Sequence, residues 1–470
     1  LIDTKALRSR VLDLAIRGKL TEQLESDGTA EELYQQIQTE KQKLIKEKKI
    51  KKEKPLPPIK PEEVPFEIPS NWKFVKFCNI ISLQSGQDLQ KNEYNDTRSG
   101  IPYITGASNY QFDGSLLINR WTETPKAFAE KGDILLSCKG TVGKITILTI
   151  DKVHIARQIM GIRSYISDNI FISLFVQSKV NGIISASKGL IPGIERKDIL
   201  NMEFPLPPLA EQKRIVARVE EIFRILDTID KAQEKYSANV ESLKAKLITA
   251  GIQGKLTEQL ESDGTAEELY QQIQTEKQKL IKEGKIKKEK PLPSIKPEEV
   301  PFEIPSSWKW VYLGEIFQHN TGKALNSANK EGTLLDYITT SNVYWEHFEL
   351  KNLKQMYFTD EEIDKCTVTK GDLLICEGGD IGRSAIWNFD YDMRIQNHLH
   401  RLRGYISNIC VKYYYYLMWL YKETGKIDGR GIGLQGFSSK RVHSLIVPLP
   451  PLAEQKRIAN KLDELLIAMQ

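Results

Sequence analysis

Cysteine is scarce and unpatterned. The chain has five, Cys78, Cys138, Cys366, Cys376 and Cys410, irregularly spaced and without a Cys-x-x-Cys pair. A disulfide framework or a structural zinc site is therefore not expected. Long hydrophobic runs are also missing. The longest apolar-aromatic stretch is the nine residues from Tyr413 to Tyr421, between Lys412 and Lys422, whereas a membrane span needs about 20. The chain begins at Leu1 with no signal-peptide pattern, and the cytoplasm is the expected compartment. Neither sign of charge dominates. Lys and Arg number 67 against 62 Asp and Glu, a formal net charge of +5, which permits nucleic-acid binding without demanding it.

Catalytic signatures are missing as well. No GxSxG, no HExxH and no (N/D)PP(Y/F) tetrapeptide of an adenine methyltransferase occurs. Gly140-Thr141-Val142-Gly143-Lys144 resembles a phosphate loop. However, Cys138 stands where its first glycine belongs, and Ile145 where Ser or Thr should follow the lysine. A tight β-turn is the simpler reading. Glu195-Arg196-Lys197 matches a three-residue fragment of metal-dependent nucleases, but the second copy has Ser438-Ser439-Lys440 there. His398 and His400 would share a strand face, yet no third ligand stands at a metal-site spacing. A structural or DNA-facing role fits them better.

What the chain does have is itself, twice. Its 470 residues, 40% apolar and 27% charged, suit about three soluble domains. Gly18 to Lys73 recurs as Gly254 to Lys309 with three differences: Lys48/Gly284, Pro58/Ser294 and Asn71/Ser307. PLPPLAEQKRI stands at Pro205–Ile215 and again at Pro448–Ile458. Between these blocks, residues 74–204 and 310–447 have diverged, though a frame persists. Gly132-Asp133-Ile134-Leu135-Leu136 answers Gly371-Asp372-Leu373-Leu374-Ile375, and Gly140–Lys144 answers Gly379-Asp380-Ile381-Gly382-Arg383. A bare tandem duplication would diverge evenly. Divergence confined to two blocks points to one kind of job done on two targets.

Thr29-Ala30-Glu31-Glu32 is a capping box, and it opens a helix through Leu33, Ile37, Leu44 and Ile45. The proline-rich stretch 54–69 should be an extended connector. Ile134–Leu136 and Ile145–Leu148 read as short strands, 170–180 and 411–422 as helices. From Leu209 to Ile248, apolar residues step by four and three through Ile215, Val219, Ile222, Leu226, Ile229, Tyr236, Val240, Leu243 and Leu247, with Gln233 the one polar member. This is a coiled-coil seam on a helix of roughly 60 Å. Residues 454–470 repeat 211–227 and residues 1–18 repeat 237–254, so a second copy of this helix is split between the chain ends. Counterparts of 228–236 are missing. The expectation is a cyclic, pseudo-twofold α+β arrangement in which both terminal helices pack antiparallel on the central one. Its segments are 1–17, 18–205, 206–253, 254–448 and 449–470.

In this duplicated order, the PLPPLAEQKRI blocks, the GKL…EKQKLIKE…PFEIPSxW arms and the GDILL…GTVGK and GDLLI…GDIGR frames resemble the DNA specificity subunit of type I restriction–modification enzymes. The resemblance spans essentially the whole chain. It implies two target recognition domains, each reading half of a bipartite asymmetric DNA sequence, held apart by conserved helices. It further implies two docked methyltransferase subunits and motor-nuclease restriction subunits. These partners would carry S-adenosylmethionine, ATP and Mg, with no cofactor, metal or catalytic residue in this chain. A self-sufficient methyltransferase or nuclease with an unrecognised site is the alternative.

Residue chemistry nominates DNA contacts. In the first insert they are Lys139, Lys144, Arg157, Gln158, Lys188, Arg196 and Lys197. In the second they are Asn342, Arg383, Arg394, Gln396, Asn397, Arg430, Ser438 and Lys440. The lysine runs at 46–54 and 282–290 are read as solvated helix ends, and Tyr413–Tyr416 with Trp419 as core. The tetrads Glu211-Gln212-Lys213-Arg214 and Glu454-Gln455-Lys456-Arg457 place Arg and Lys against a helix dipole that disfavours them. Contact with a duplicated partner is expected at Glu211, Gln212, Arg214, Glu454, Gln455 and Arg457.

Overall fold

The computed structural model describes every residue except 53–55, 112–113, 187–192, 327–329, 428–435 and 470, together with the side chains of 61, 181 and 183–186. It divides into two units, Leu1–Lys235 and Tyr236–Gln470. The division falls inside a single long helix.

Unit 1 begins with helices α1 (Thr4–Ile16) and α2 (Ala30–Lys46). The capping box forms at α2: Thr29 Oγ1 accepts from Glu32 N at 3.3 Å, and the Glu32 carboxylate accepts from Thr29 N at 3.1 Å. The insert contributes β1 (Lys73–Lys76), β2 (Ile81–Ser85), β3 (Ile101–Ile104), β4 (Trp121–Thr122), β5 (Phe128–Glu130), β6 (Ile134–Ser137), β7 (Ile145–Ile147), β8 (Lys152–Ile155) and β9 (Ile159–Ser164). Helices α3 (Asn169–Ala186) and α4 (Arg196–Leu200), strand β10 (Glu203–Leu206) and the long helix α5 (Leu209–Ile252) follow. Three sheets result, in the orders β1–β10, β2–β9–β6–β7 and β4–β3–β8–β5. The β3–β8 pair is parallel.

Unit 2 continues with α6 (Ala266–Lys282), β11 (Lys309–Tyr312), α7 (Leu313–Ile316), β12 (Phe317–Thr321), β13 (Thr333–Ile338) and β14 (Lys354–Phe358). Next come α8 (Asp360–Cys366), β15 (Thr367–Val368), β16 (Leu373–Cys376), β17 (Ser384–Ile386), β18 (Met393–Ile395) and β19 (Leu399–Gly404). Helices α9 (Val411–Glu423) and α10 (Ser439–His443), strand β20 (Ile446–Leu449) and helix α11 (Leu452–Ile467) complete it. Its sheets are β11–β20, β12–β19–β16–β17 and β14–β13–β18–β15, with β13–β18 parallel. Adding ten to every strand number of unit 1 gives unit 2. The divergent inserts therefore share one topology, as their common frame implies.

The frame survives because it is the core. In β6, Ile134 and Leu136 pack towards Phe77, Phe175 and Phe204, while Leu135 packs on the other side with Ile104, Val153 and Ile155. A strand buried on both faces reads as an unbroken apolar run. Leu373 and Ile375 face one core of unit 2, and Leu374 and Cys376 the other. Tyr413–Tyr416 and Trp419 are buried in α9, as expected.

The helical support is less uniform than its heptads suggest. Within unit 1, α1 runs antiparallel to the start of α5. Gln233 Nε2 donates to Ile2 O at 3.1 Å, and Arg8 reaches Asp230 at 2.9 Å and Asp227 at 2.7 Å. The residues α1 buries are Leu12, Ala15 and Ile16. In unit 2 the equivalent Ile248 and Ile252 are buried with Ile458 and Leu462 of α11. Each terminal helix thus packs on the half of α5 in its own unit. The ten-position seam is not continuous: Tyr236 is 58% exposed and Leu243 47%. The stripe rotates because these helix ends pack into their unit's mixed core, with the arm and the insert, rather than against one helix alone.

Candidate nucleic-acid interface and the joints beneath it

The tetrads at the start of α5 and α11 prove to be internal joints. Glu211 is fully buried and accepts from Trp72 Nε1 at 2.7 Å and from Gln23 Nε2 at 2.7 Å. Gln212, also buried, accepts from Asp168 N at 2.9 Å and donates to Pro207 O at 3.0 Å. Arg214 pairs with the buried Asp27 at 2.5 Å. Unit 2 repeats each contact. Glu454 takes Trp308 Nε1 at 2.7 Å and Gln259, Gln455 takes Cys410 N at 3.3 Å, and Arg457 meets Asp263 at 2.6 Å. Gly18 and Gly254 sit left-handed, at φ +67° and +71°, where a Cβ would strike Pro69 or Pro305 at 2.5 Å. The expected role for Glu211, Gln212, Glu454 and Gln455 is corrected accordingly: these side chains are buried, the two glutamates against the chain's own arm and the two glutamines against backbone of their own unit. Only Lys213 and Lys456 of the tetrads are exposed. Burial raises the Glu454 carboxyl above its ordinary range, opposed by the hydrogen bonds from Trp308 and Gln259.

A second repeated pair was not legible as a pair. The aspartate of each Gly-Asp frame holds an arginine in a bidentate grip. Asp133 meets Arg163 Nε and Nη2, both at 2.7 Å, and Asp372 meets Arg403 at 2.8 and 2.6 Å. The Asp common to both frames was the available signal, but the arginines lie 30 and 31 residues on.

The nominated DNA contacts gather at one end of each insert. In unit 1, Cys138 N donates to Gln158 O at 2.8 Å and Ile194 N to Cys138 O at 3.0 Å. These bonds draw Lys139, Arg157, Gln158 and the start of α4 together. In unit 2, Glu377 N donates to His398 O at 2.9 Å and Phe437 N to Glu377 O at 3.0 Å, drawing in Gln396, Asn397 and Ser438. Lys139, Gln158, Lys197 and Lys440 are exposed, Lys197 paired with Glu195 at 2.8 Å and Arg157 with Asp88 at 2.8 Å. Ser438 caps α10. Lys188 and Arg430 lie outside the described residues.

Five nominees have internal work. The Gly-x-x-Gly loops are tight turns, with Gly140, Gly143, Gly379 and Gly382 all at positive φ. The cation closing each turn ties it to a neighbouring 3-10 turn: Lys144 Nζ donates to Ala107 O at 3.4 Å, Arg383 Nη2 to Thr340 O at 2.7 Å. Asn342 is consumed by that turn. Its Oδ1 accepts from Thr339 N at 2.9 Å and its Nδ2 donates to Glu349 O at 2.8 Å, as Asn109 does in unit 1. Arg196 donates to Leu83 O, and Arg394 to Thr367 Oγ1 at 3.0 Å.

The histidine expectation also changes. His398 precedes β19 and is exposed, while His400 is buried on it and bonds His319 at 2.9 Å. Burial first, and His400 second, hold His319 down to about 3. This is a neutral structural pair. Among the described residues no group of three His, Cys, Asp or Glu side chains could hold a metal ion, and no helix is long and apolar enough to cross a membrane.

Two copies of one mixed α/β fold, with divergent loops and near-identical joints to the starts of α5 and α11, define a duplicated recognition protein. A model of the type I restriction modification DNA specificity domain matches residues 69–237 and 305–469. The chain belongs to that family. It is 28% identical to the type I restriction enzyme EcoAI specificity subunit of Escherichia coli, over 98% of this chain and 89% of that protein. To the EcoEI specificity subunit of Escherichia coli it is also 28% identical, over 98% and 88%. The fold is shared with a structure described as the basis of complex assembly and conformational transition of the type I R-M system (18% identity, TM-score 0.64, 86% of this chain and 92% of that one). It is shared too with the HsdS subunit from Thermoanaerobacter tengcongensis (19%, TM-score 0.50, 87% and 93%).

Proposed function

We propose that the chain is the DNA-reading subunit of a type I restriction–modification enzyme. It reads a bipartite, asymmetric sequence, with unit 1 taking one half-site and unit 2 the other. The observation that carries this reading is the pairing of an identical topology and identical joints with different loop side chains. The support is held constant and only the readout varies. Candidate readers are Lys139, Arg157, Gln158, Lys188 and Lys197 in unit 1, and Gln396, Asn397, Arg430, Ser438 and Lys440 in unit 2. Lys144, Arg196, Arg383 and Arg394 contribute charge from more constrained positions.

In this reading the chain supplies specificity and no chemistry. Two methyltransferase subunits bring S-adenosylmethionine, and the motor-nuclease subunits bring ATP and Mg, in the cytoplasm. A duplicated partner would meet the two joints at their exposed members, Lys213 and Lys456, with Arg214 and Arg457 a third exposed beside them. The segments 1–17, 18–205, 206–253, 254–448 and 449–470 remain the proposed functional division, with α5 as spacer. The test is replacement of residues 310–447 by another insert of the family, assembled with the methyltransferase subunits. One half-site of the methylated sequence should change and the other persist. Insertion within 209–248 should change the gap alone. Methylation by the purified chain with S-adenosylmethionine would instead favour the self-sufficient enzyme.

A further inference from the structure

The turn that Arg383 and Asn342 secure in unit 2 carries an aromatic hairpin that composition and motif did not single out. Val343 and Phe348 form an isolated antiparallel bridge, and Tyr344 N donates to His347 O at 3.0 Å. The tip is Tyr344-Trp345-Glu346-His347. Trp345 turns inward and packs edge-on against Tyr415 of α9, with ring centroids 5.7 Å apart. Val343 is fully buried and Phe348 packs on Trp387 at 4.9 Å. The hairpin is thus anchored by three side chains.

Its other two rings face out. Tyr344, 39% exposed, stacks on the exposed His347 with centroids 5.0 Å apart and planes within 7°. The Arg383 guanidinium lies 4.9 Å from the Tyr344 ring centroid. Glu346 holds the turn at φ +71°, a conformation unfavourable for a non-glycine residue. A rigid, strained turn that displays flat aromatic surface to solvent is costly unless that surface is used. In unit 1 the corresponding bridge joins Tyr110 and Leu116, and the described residues of its turn are Gln111, Gly114 and Ser115.

We infer that the Tyr344–His347 stack with Glu346 is a base-contacting element of unit 2, inserted into a groove of duplex DNA at that unit's half-site. The hairpin adjoins the loop cluster of Gln396, Asn397 and Arg383 through the Arg383–Thr340 bond. Its chemistry favours base edges over phosphates. Glu346 repels phosphate oxygens, yet its carboxylate accepts a hydrogen bond from the cytosine amino group in the major groove. The paired rings give rigid apolar contact to base edges and sugars. The sequence preference of unit 2 then depends on this hairpin.

This inference rests on the reading of unit 2 as one half-site's reader, and the experiment separates the two. The chain, assembled with its methyltransferase subunits, selects from a pool of random-sequence duplex DNA, and the bound fraction is sequenced. If the unaltered complex returns no two-part motif, the proposed function falls. Given such a motif, Tyr344→Ala/His347→Ala should lose roughly tenfold discrimination or more at positions of one half-site, a typical loss for a base contact. The other half-site and the gap should be retained, and that retention reports an intact fold. Glu346→Gln should relax a position in the same half-site. The slope of affinity against salt should not change, because no phosphate contact is removed. Both half-sites unchanged, both degraded together, or a reduced salt slope would each overturn the inference.

Discussion

The loop end of the two units and their joints obey opposite rules. At the joints, Trp72–Glu211 and Trp308–Glu454 agree in partner and in distance, 2.7 Å each. At the loop end, the hairpin that is Tyr344-Trp345-Glu346-His347 in unit 2 gives way to a glycine-containing turn in unit 1. Even there the chain keeps what holds the loop in place, Asn109 and Asn342, Lys144 and Arg383, and changes what faces out. A buried polar contact leaves no freedom, because losing one partner strands the other. An exposed loop residue is free to vary once the turn beneath it is fixed.

The comparison predicts equal damage at equivalent joints. Trp72→Ala and Trp308→Ala should each cost about 4 kcal/mol, since they remove a large buried ring and take away one of a buried carboxylate's donors. Calorimetry on the full chain measures both. A large loss at one joint and none at the other would break the equivalence. Arg214→Ala and Arg457→Ala should cost less, about 1–2 kcal/mol, because each arginine is a third exposed and solvent screens part of the pairing with its buried aspartate.

The one charged difference between the arms sharpens the comparison further. Lys48 occupies a left-handed position, φ +55°, where the other copy has Gly284 at φ +72°. Lys48→Gly should stabilise unit 1 by about 1 kcal/mol, and Gly284→Lys should destabilise unit 2 by about as much. Opposite signs in thermal melts are required.

The smallest effect concerns pH. Burial raises the folded-state Glu454 carboxyl, so the folded protein holds its proton more tightly than the unfolded chain. Stability from this group therefore increases as pH falls from neutral through the raised value, and the gain levels off below the ordinary carboxylate value of 4.5. Glu454→Gln should remove that slope. Difference melts between about pH 4 and 7 would reveal it, and an unchanged slope would show that other groups control it.

Much of the molecule was written locally. The duplication, the capped arm helices, the twice-buried strands and the aromatic core of α9 follow from spacing and apolar pattern, which act over a few residues. The family resemblance drew on the same repeated blocks. Which way a polar side chain turns was decided by contacts far along the chain. Glu211 meets a tryptophan 139 residues away, so its tetrad looked like a surface signature until the fold brought the arm over it. Asn342 carried the right chemistry for reading DNA, but a neighbouring backbone claims both ends of its amide. The seam of α5 was periodic throughout, yet Tyr236 and Leu243 remain exposed. Sequence period fixes which residues share a face. Only tertiary packing decides whether that face is covered, because burial depends on a partner that the period does not specify.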